Sequence, residues 1–405
     1  MTEDIMTGAF VDGNEWRIFL GYGEPVPVMS AYEKIQREEI FRSLTGNYGE
    51  TSQGGDVFNF TYGPSAGGLI ESIKFNIYTY GERILSMVAE PKYKERRIMV
   101  TESDLQTALL RIERFNGMLS PFYSTMFCRS VEMLSESEEN YALGMTRIIM
   151  NEISRILDHI NVLAKLAEGA SQNVAFNHLF MARESLYRIV SRRFGHRYFF
   201  GINGFNGINR KVEIGGISSE IEKIAREIDD IWEGLEGSRI FLDRIQTTCS
   251  VKRGWLIGPA ARASGLNIDS RRSSNLLPYS DLDFEVPGEE NGDSLSRAVV
   301  RKKEIIESSR IIAQAENYAV DVPEGVMPAN GNVNGEISVR SENPGGDALF
   351  HVRAENGKIS RIYVRSPSIQ NLLAFCTGIR GNILTDFVFG FESFGVHVSE
   401  LGGLL

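Results

Sequence analysis

Three groups of residues in this chain have types and spacings suited to chemistry. Glu152, Arg155 and His159 fall at i, i+3 and i+7, so on a helix they share one face, as a hydrogen-bonded polar seam inside a bundle would. The stretch GWLIGPAARASGLNIDSRR (254–272) sets Arg262, Asp269, Arg271 and Arg272 among glycine turns with little apolar surface. Guanidiniums in that setting suit an anion, a partner's carboxylates, or a buried Arg–Asp pair that fixes the loop. The third group is a corner. In RIERFNGMLS (111–120), Asn116-Gly117 interrupts a charged helical run before Met118-Leu119 and Ser120-Pro121.

Metal chemistry finds no local support. Cys128, Cys249 and Cys376 are scattered, none in a CxxC pair. His159, His178, His196, His351 and His397 show neither HxxxH nor HxH spacing. A closed zinc or iron–sulfur site takes about four clustered ligands, so the expected metal ligands are none and the thiols are expected buried and inert. GINGFNG (201–207) lacks the GxGxxG spacing and a strong preceding strand. Close backbone packing or a docking loop is expected there rather than a dinucleotide site.

The elements that must position these residues belong to an ordinary globular chain. Its 405 residues are 42% hydrophobic and 24% charged, enough for two or three structural units. A net charge of −10 gives no global field for nucleic acid or an anionic membrane. The arginine pairs Arg96-Arg97, Arg192-Arg193 and Arg271-Arg272 read as solvated faces or docking points. No apolar run reaches the ~18 residues of a membrane span, and the acidic start MTEDIMTGAF lacks the order of a secretory signal. A cytoplasmic protein, reaching a membrane only through partners, is expected.

Residues 57–100 alternate as strands, with Ile73, Phe75 and Ile77 on one face and a stop at Gly81. Thr101 with Asp104 suggests a capping box, and Ser120-Pro121 a cap and first turn. Apolar spacing predicts a long helix over about 137–168, stopping at Gly169. Further helices are expected to end at Gly195, to start near Glu220 behind a Ser219 cap, and to start behind Asp293. DALFHVRAENGKISRIYVRS reads as two strands joined at Asn356-Gly357. The fold class is α+β: an N-terminal β-rich unit, a central long-helix bundle and a C-terminal α/β unit. The expected divisions are 1–56, a segment of open role; 57–100, the β-rich unit; 101–320, the bundle with its Gly/Arg-rich loops; and 321–405, a C-terminal hairpin and cavity-closing segment.

GPAARASG with Asp269, Arg271 and Arg272, followed by YSDLDFEVPGEENGDSLSR (279–297) and RKKEIIESSRII (301–312), resembles the D-type subunit of respiratory complex I. It is equally similar to the large subunit of membrane-bound [NiFe]-hydrogenases. YGPSAGGLIESIKFNIYTYGERIL (62–85), EISRILDHI (152–160), FGHRYFFGINGFNGINR (194–210), RSPSIQNLLAF and TDFVFGFESFG agree in order, so the resemblance covers about residues 57–402. It implies a hydrogenase large subunit-like fold.

In the hydrogenase branch the corner reads E-R-x-C-G-x-C and a D-P-C-x-x-C pattern closes the site; those cysteines bind nickel and iron. Here Glu113 and Arg114 keep the frame, but Asn116 and Leu119 stand at the first pair of positions and His397 and Glu400 at the second. The resemblance therefore implies a vacated pocket and no active [NiFe]-hydrogenase. Complex I binds quinone in that pocket, using a corner tyrosine and a G-P-x-H-P histidine. This chain has Gly117 near the one and GPSAGG (63–68) at the other. Tyr62, Tyr123 or His397 are possible substitutes. The implied catalytic candidates are Arg114, to stabilise negative charge, and Tyr123, His397 and Glu400, to deliver protons. Asn116, Gly117 and Leu119 form the cavity corner. Arg155, His159, Arg262 and Asp269 are bundle and interface candidates. No cofactor is expected on this chain itself; a [4Fe–4S] cluster on an iron–sulfur small subunit and a quinone are implied, with membrane-arm proteins as further partners. The implied location is the inner face of the cell membrane. A non-catalytic scaffold joining a redox module to a membrane arm is the alternative.

Overall fold

The structure is a computed structural model. It describes residues 57–401 apart from 66–72, 91–92, 94–97, 139, 253–255 and 329–332, with backbone alone for 6–12, 15–20, 26–28 and 402–404. The glycine-rich 46–56, the Arg96-Arg97 pair and part of GPSAGG lie outside the described residues.

Strands β1 (Met6–Asp12), β2 (Glu15–Leu20) and β3 (Val26–Val28) form an antiparallel sheet in that order. A second antiparallel sheet orders β4 (Phe58–Tyr62), β5 (Lys74–Tyr80) and β6 (Arg83–Glu90). Ile73, Phe75 and Ile77 are fully buried, as their alternation predicts. That face meets the C-terminal part of the chain. Phe75 packs edge-on against Phe375, Phe387 and Phe391, so one hydrophobic core joins β5 and β6 to residues from 249–261 and 369–401.

The larger core is the helical bundle with a sheet against it. The two-residue strand β7 (Ser103–Asp104) pairs with a later strand and leads into α1 (Leu105–Ile112). Because that pairing draws 103–104 into extended backbone, the helix starts late. Asp104, not Thr101, caps it by accepting from Thr107 N at 2.8 Å. The next helix, α2 (Ser120–Leu134), starts one residue earlier than its serine suggests, so Leu119 is the cap residue and Ser120 lies inside the first turn with Pro121.

Helix α3 (Tyr141–Gly169) is the axis of the molecule, 29 residues capped by Asn140 and ~44 Å long. After it come α4 (Asn173–Phe194), ended by left-handed Gly195 at φ +77°, and the small hairpin β8 (Asn203–Gly204) with β9 (Gly207–Ile208). Here the glycine loop is packed backbone to backbone: a Cβ on Gly207 would lie 2.4 Å from Glu324. Helix α5 (Ile217–Glu236) starts before Ser219. Its first N–H groups, on Gly216 and Ser218, are taken by the Glu316 carboxylate from a neighbouring helix instead of a local cap.

Short helices α6 (Arg239–Ile245) and α7 (Gly258–Arg262) lead to α8 (Ser294–Glu316), capped by Asp293. Strands β10 (Gly335–Asn343), β11 (Gly346–Glu355) and β12 (Lys358–Arg365) follow, with Asn356-Gly357 turning between β11 and β12 in left-handed backbone. Their sheet runs β10-β11-β12-β7. Finally α9 (Pro367–Gly378), α10 (Phe387–Phe394) and a 3-10 turn over Val398–Leu404 return the chain to the start of α2. No helix among the described residues is long and apolar enough to cross a membrane.

Candidate functional site

The turn between α1 and α2 and the last 3-10 turn meet in a buried polar corner. Asn116 Nδ2 donates to Glu400 Oε1 at 2.8 Å, although 284 positions separate them. Ser368, in the first turn of α9, donates to Glu400 Oε2 at 2.8 Å and accepts from His397 N at 3.0 Å. Leu119 and Glu400 are fully buried and Asn116 nearly so. One turn into α2, Tyr123 is also fully buried and stacks edge-on against Phe115 at 5.0 Å. Its hydroxyl makes no hydrogen bond of good geometry, with Glu400 and Asn343 the polar groups that act on it. Asn343 Nδ2 and Asn371 Oδ1 are likewise orphaned.

Burial raises the Glu400 pKa against the pull of His397, Asn116, Ser368 and Tyr123, and burial with Glu400 nearby holds Tyr123 well above 10. In both groups burial favours the protonated form. His397 retains a little solvent access, and its Nε2 meets Asp158 Oδ1 at 2.7 Å. Burial alone would raise Asp158, but His397, Arg301 and His159 hold it below the ordinary carboxylate range.

Arg114 does not join this corner. Its side chain is 52% exposed, donates to Leu110 O and stacks on Phe200. It lines an outer cavity of about 760 Å³ with Ile98, Met99, Leu110, Arg111 and Phe115. Helix α1 ends before residue 114, so the turn points it outward while Asn116 points in. Gly117 faces Phe200: a Cβ there would come within 3.3 Å of the ring.

Arg155 and His159 on α3, with Arg262 at the end of α7 and Asp269 beyond it, lie in an ion network that adjoins the corner through Asp158. Arg155 bonds Glu152 at 3.1 Å and the carbonyls of Glu342 and Asn343. His159 Nδ1 accepts from Arg301 at 3.0 Å, which makes Nε2 the donor to Glu304 at 2.7 Å. Burial lowers the His159 pKa to about 4, so the ring is neutral. Arg262 reaches Glu304 at 2.7 Å and Glu342 at 2.8 Å, and Arg271 reaches Asp269 at 2.6 Å. Arg271 is therefore buried rather than solvated, and GPAARASG folds a loop onto the bundle with its charges inward. Arg272 alone of that pair is exposed, stacked on Phe284.

Sequence reasoning missed Asp158, Arg301, Glu304 and Glu342. Arg301 and Glu304 carried a signal, an i, i+3 charge pair in a helix whose first turns face the bundle. Ser368 and Asn343 carried none, since only the tertiary fold brings them to Glu400. The three cysteines are buried, which pushes the Cys249 and Cys376 thiols up to about 12. As a nickel–iron cage the corner does not fit: an amide, an alkyl chain, an imidazole bound to Asp158 and a carboxyl satisfied by two donors offer no thiolate.

The fold has known counterparts. A chain of the membrane-bound sulfane sulfur reductase, an archaeal respiratory membrane complex, superposes with a TM-score of 0.77 at 20% identity, covering 86% of this chain and 98% of that one. The fold is thus one found in respiratory membrane complexes. Residues 170–333 match the family described as respiratory-chain NADH dehydrogenase, 49 Kd subunit. The D 1 subunit of NADH-quinone oxidoreductase from Chloroherpeton thalassium is 26% identical over 417 residues, 90% of this chain and 93% of that protein. The C/D subunit of the Bdellovibrio bacteriovorus NADH-quinone oxidoreductase is 25% identical over 422 residues, 93% of this chain and 75% of that protein. The chain is thus similar to the 49 kDa, D-type subunit of NADH-quinone oxidoreductase.

Proposed function

We propose that this chain is the large subunit of a membrane-associated, complex I-like oxidoreductase complex, in which electrons from an iron–sulfur small subunit reach a quinone-like acceptor at the Asn116–Tyr123–His397–Glu400 corner. The observation that carries this reading is the meeting of three separate segments in one buried site, where burial favours the protonated form of Glu400 and the Tyr123 hydroxyl makes no hydrogen bond of good geometry. Leaving a buried polar group unsatisfied costs about 1–3 kcal/mol. A joint serving structure alone is commonly as stable with apolar side chains.

Reducing a quinone to a quinol takes two electrons from the cluster and two protons. The Tyr123 hydroxyl and the Glu400 carboxyl hold protons at the corner as hydrogen-bond donors to the reduced oxygen. His397, oriented by Asp158 and touching solvent, returns them. Arg114 lies outside this path, behind Phe115, so it takes no part in stabilising charge at the acceptor. The chain sits at the inner face of the membrane through membrane-arm partners.

The scaffold reading has one specific observation in its favour: Leu119, Asn116, Tyr123 and Glu400 pack the corner shut. Quinone reduction by the intact purified complex separates the two. Tyr123→Phe and Glu400→Gln should each lower turnover by about 10²-fold or more with assembly intact. Unchanged turnover in both would favour the scaffold.

A further inference from the structure

On α8, Arg297, Arg301, Glu304 and Ser308 recur at helical spacing and turn one face toward α3 and the end of α10. Arg301 is fully buried on that face. Its Nη1 lies 3.0 Å from His159 Nδ1 and 3.5 Å from Asp158 Oδ2, and its Nη2 donates to Phe394 O at 3.0 Å. Gly395 follows in left-handed backbone at φ +62°, and a Cβ there would lie 2.6 Å from Nη2. The guanidinium therefore rests on bare backbone two residues before His397. The imidazole in turn reaches the other oxygen of the same carboxylate, with Nε2 2.7 Å from Asp158 Oδ1. One side chain thus touches both the backbone that carries His397 and the acid that His397 meets. Asp158 Oδ2 makes no hydrogen bond, so Arg301 acts on it as a nearby charge.

We propose that Arg301 is the positioning residue of the His397–Asp158 pair, aiming the imidazole through the Phe394–Gly395 backbone and dividing the Asp158 charge so that His397 can release its proton. Its bearing on turnover rests on the reading above; its hold on His397 does not.

An opposite charge within about 4–6 Å favours the charged form of a titrating group by about 1–3 pH units. Asp158 alone would hold a proton on His397 in this way. Arg301 opposes it twice, by neutralising part of the carboxylate's field and by repelling a second cation beside it. Both effects have one sign, so removal of the guanidinium makes His397 keep its proton to higher pH. Other groups around the pair leave that sign intact. Burial lowers His159 on α3 to about 4 and raises Tyr187 on α4 to about 12, so both are neutral in between. Glu400 on the final turn, with Tyr123 of α2 beyond it, is the same in wild type and variant. Glu304, Arg262 and Arg155 lie behind Arg301, with Glu304 paired to both arginines.

Hydrogen–deuterium exchange at the imidazole C2 carbon, followed by mass spectrometry in the intact complex between about pH 5 and 10, reads the protonation of His397 without turnover. Arg301→Gln should move the midpoint up by about one pH unit or more. Arg301→Lys keeps the cation and should stay within about half a unit of wild type. Asp158→Asn should move the midpoint down, and the double variant Asp158→Asn with Arg301→Gln should bring it back up. The double variant removes both charges together, which a buried site tolerates better than the loss of one, so the step between these two isolates Arg301 even where Arg301→Gln alone does not assemble. A midpoint that stays or falls in Arg301→Gln overturns the proposal. So does a lysine variant that behaves like the glutamine one, or a double variant no higher than Asp158→Asn. The pH profile of kcat for acceptor reduction should shift in the same order. A profile that ignores a shifted His397 upholds the hold on the imidazole and overturns only the acceptor reading.

Discussion

The ion network and the corner adjoin along α3 yet bury polar groups in contrasting ways. In the network every carboxylate faces guanidinium or imidazole partners: Glu304 meets Arg262 and His159, Asp269 meets Arg271, and Glu152 meets Arg155, Tyr279 and Ser308. In the corner Glu400 has neutral donors at hydrogen-bond distance, and the Tyr123 hydroxyl and Asn343 Nδ2 make no hydrogen bond of good geometry. Carboxylates paired with cations fix the fold, whereas a buried acid held by neutral donors is suited to bind or pass something. Asn343 joins the two regions, its carbonyl on Arg155 and its side chain beside Tyr123.

Breaking the network should give the largest effect. Arg262→Met leaves Glu304 and Glu342 facing each other in the core without their shared cation. Removing one partner of a buried pair costs about 3–5 kcal/mol. Chemical denaturation should show that loss, and the bundle should assemble poorly with its partners. A change under about 1 kcal/mol would mean that the network is solvated and that the contrast with the corner is false.

The next effect is smaller and differs in sign with pH. Glu304 is held well below 4.5 by Arg262 and His159 against the cost of burial, so its contribution is present above 4.5 and lost as pH falls. Glu304→Gln should therefore be most destabilising near neutrality and should converge on wild type in acid. Glu400 has a raised pKa through burial, so its contribution is full below 4.5 and lost as pH rises through the raised value. Glu400→Gln should gain on wild type as pH rises. Denaturation midpoints from about pH 2 to 8 check both, and parallel profiles would erase the distinction between the regions.

Much of this contrast was legible in the sequence, and its limits are physical. The 3.6-residue spacing of Ile149, Ile153, Ile156 and Ile160 gave the long axis, because periodic burial is a local signal. The cap at Asp293 and the turn at Asn356-Gly357 were equally local. The start of α5 was misplaced because Glu316, far along the chain, satisfies its first N–H groups. The corner was reached only through resemblance: nothing near Asn116 announces Glu400, and the outward turn of Arg114 depends on one residue of helical phase. Whether Arg262 and Asp269 face an anion or each other likewise depends on α3 and β10 arriving beside them.

The smallest stability change should be the sharpest test. Tyr123→Phe removes a hydroxyl that makes no good hydrogen bond and keeps the edge-on contact with Phe115. Removing an unsatisfied buried polar atom while preserving shape is close to neutral or mildly stabilising, within about 1 kcal/mol. A hydroxyl present only for packing would make this substitution silent in every assay. A hydroxyl that donates to an acceptor leaves stability untouched and lowers turnover in the intact complex, with the loss in kcat exceeding that in KM. Marked destabilisation would instead show that Tyr123 is bonded to Glu400 or Asn343, making the corner as saturated as the network and removing the reason to seek chemistry there.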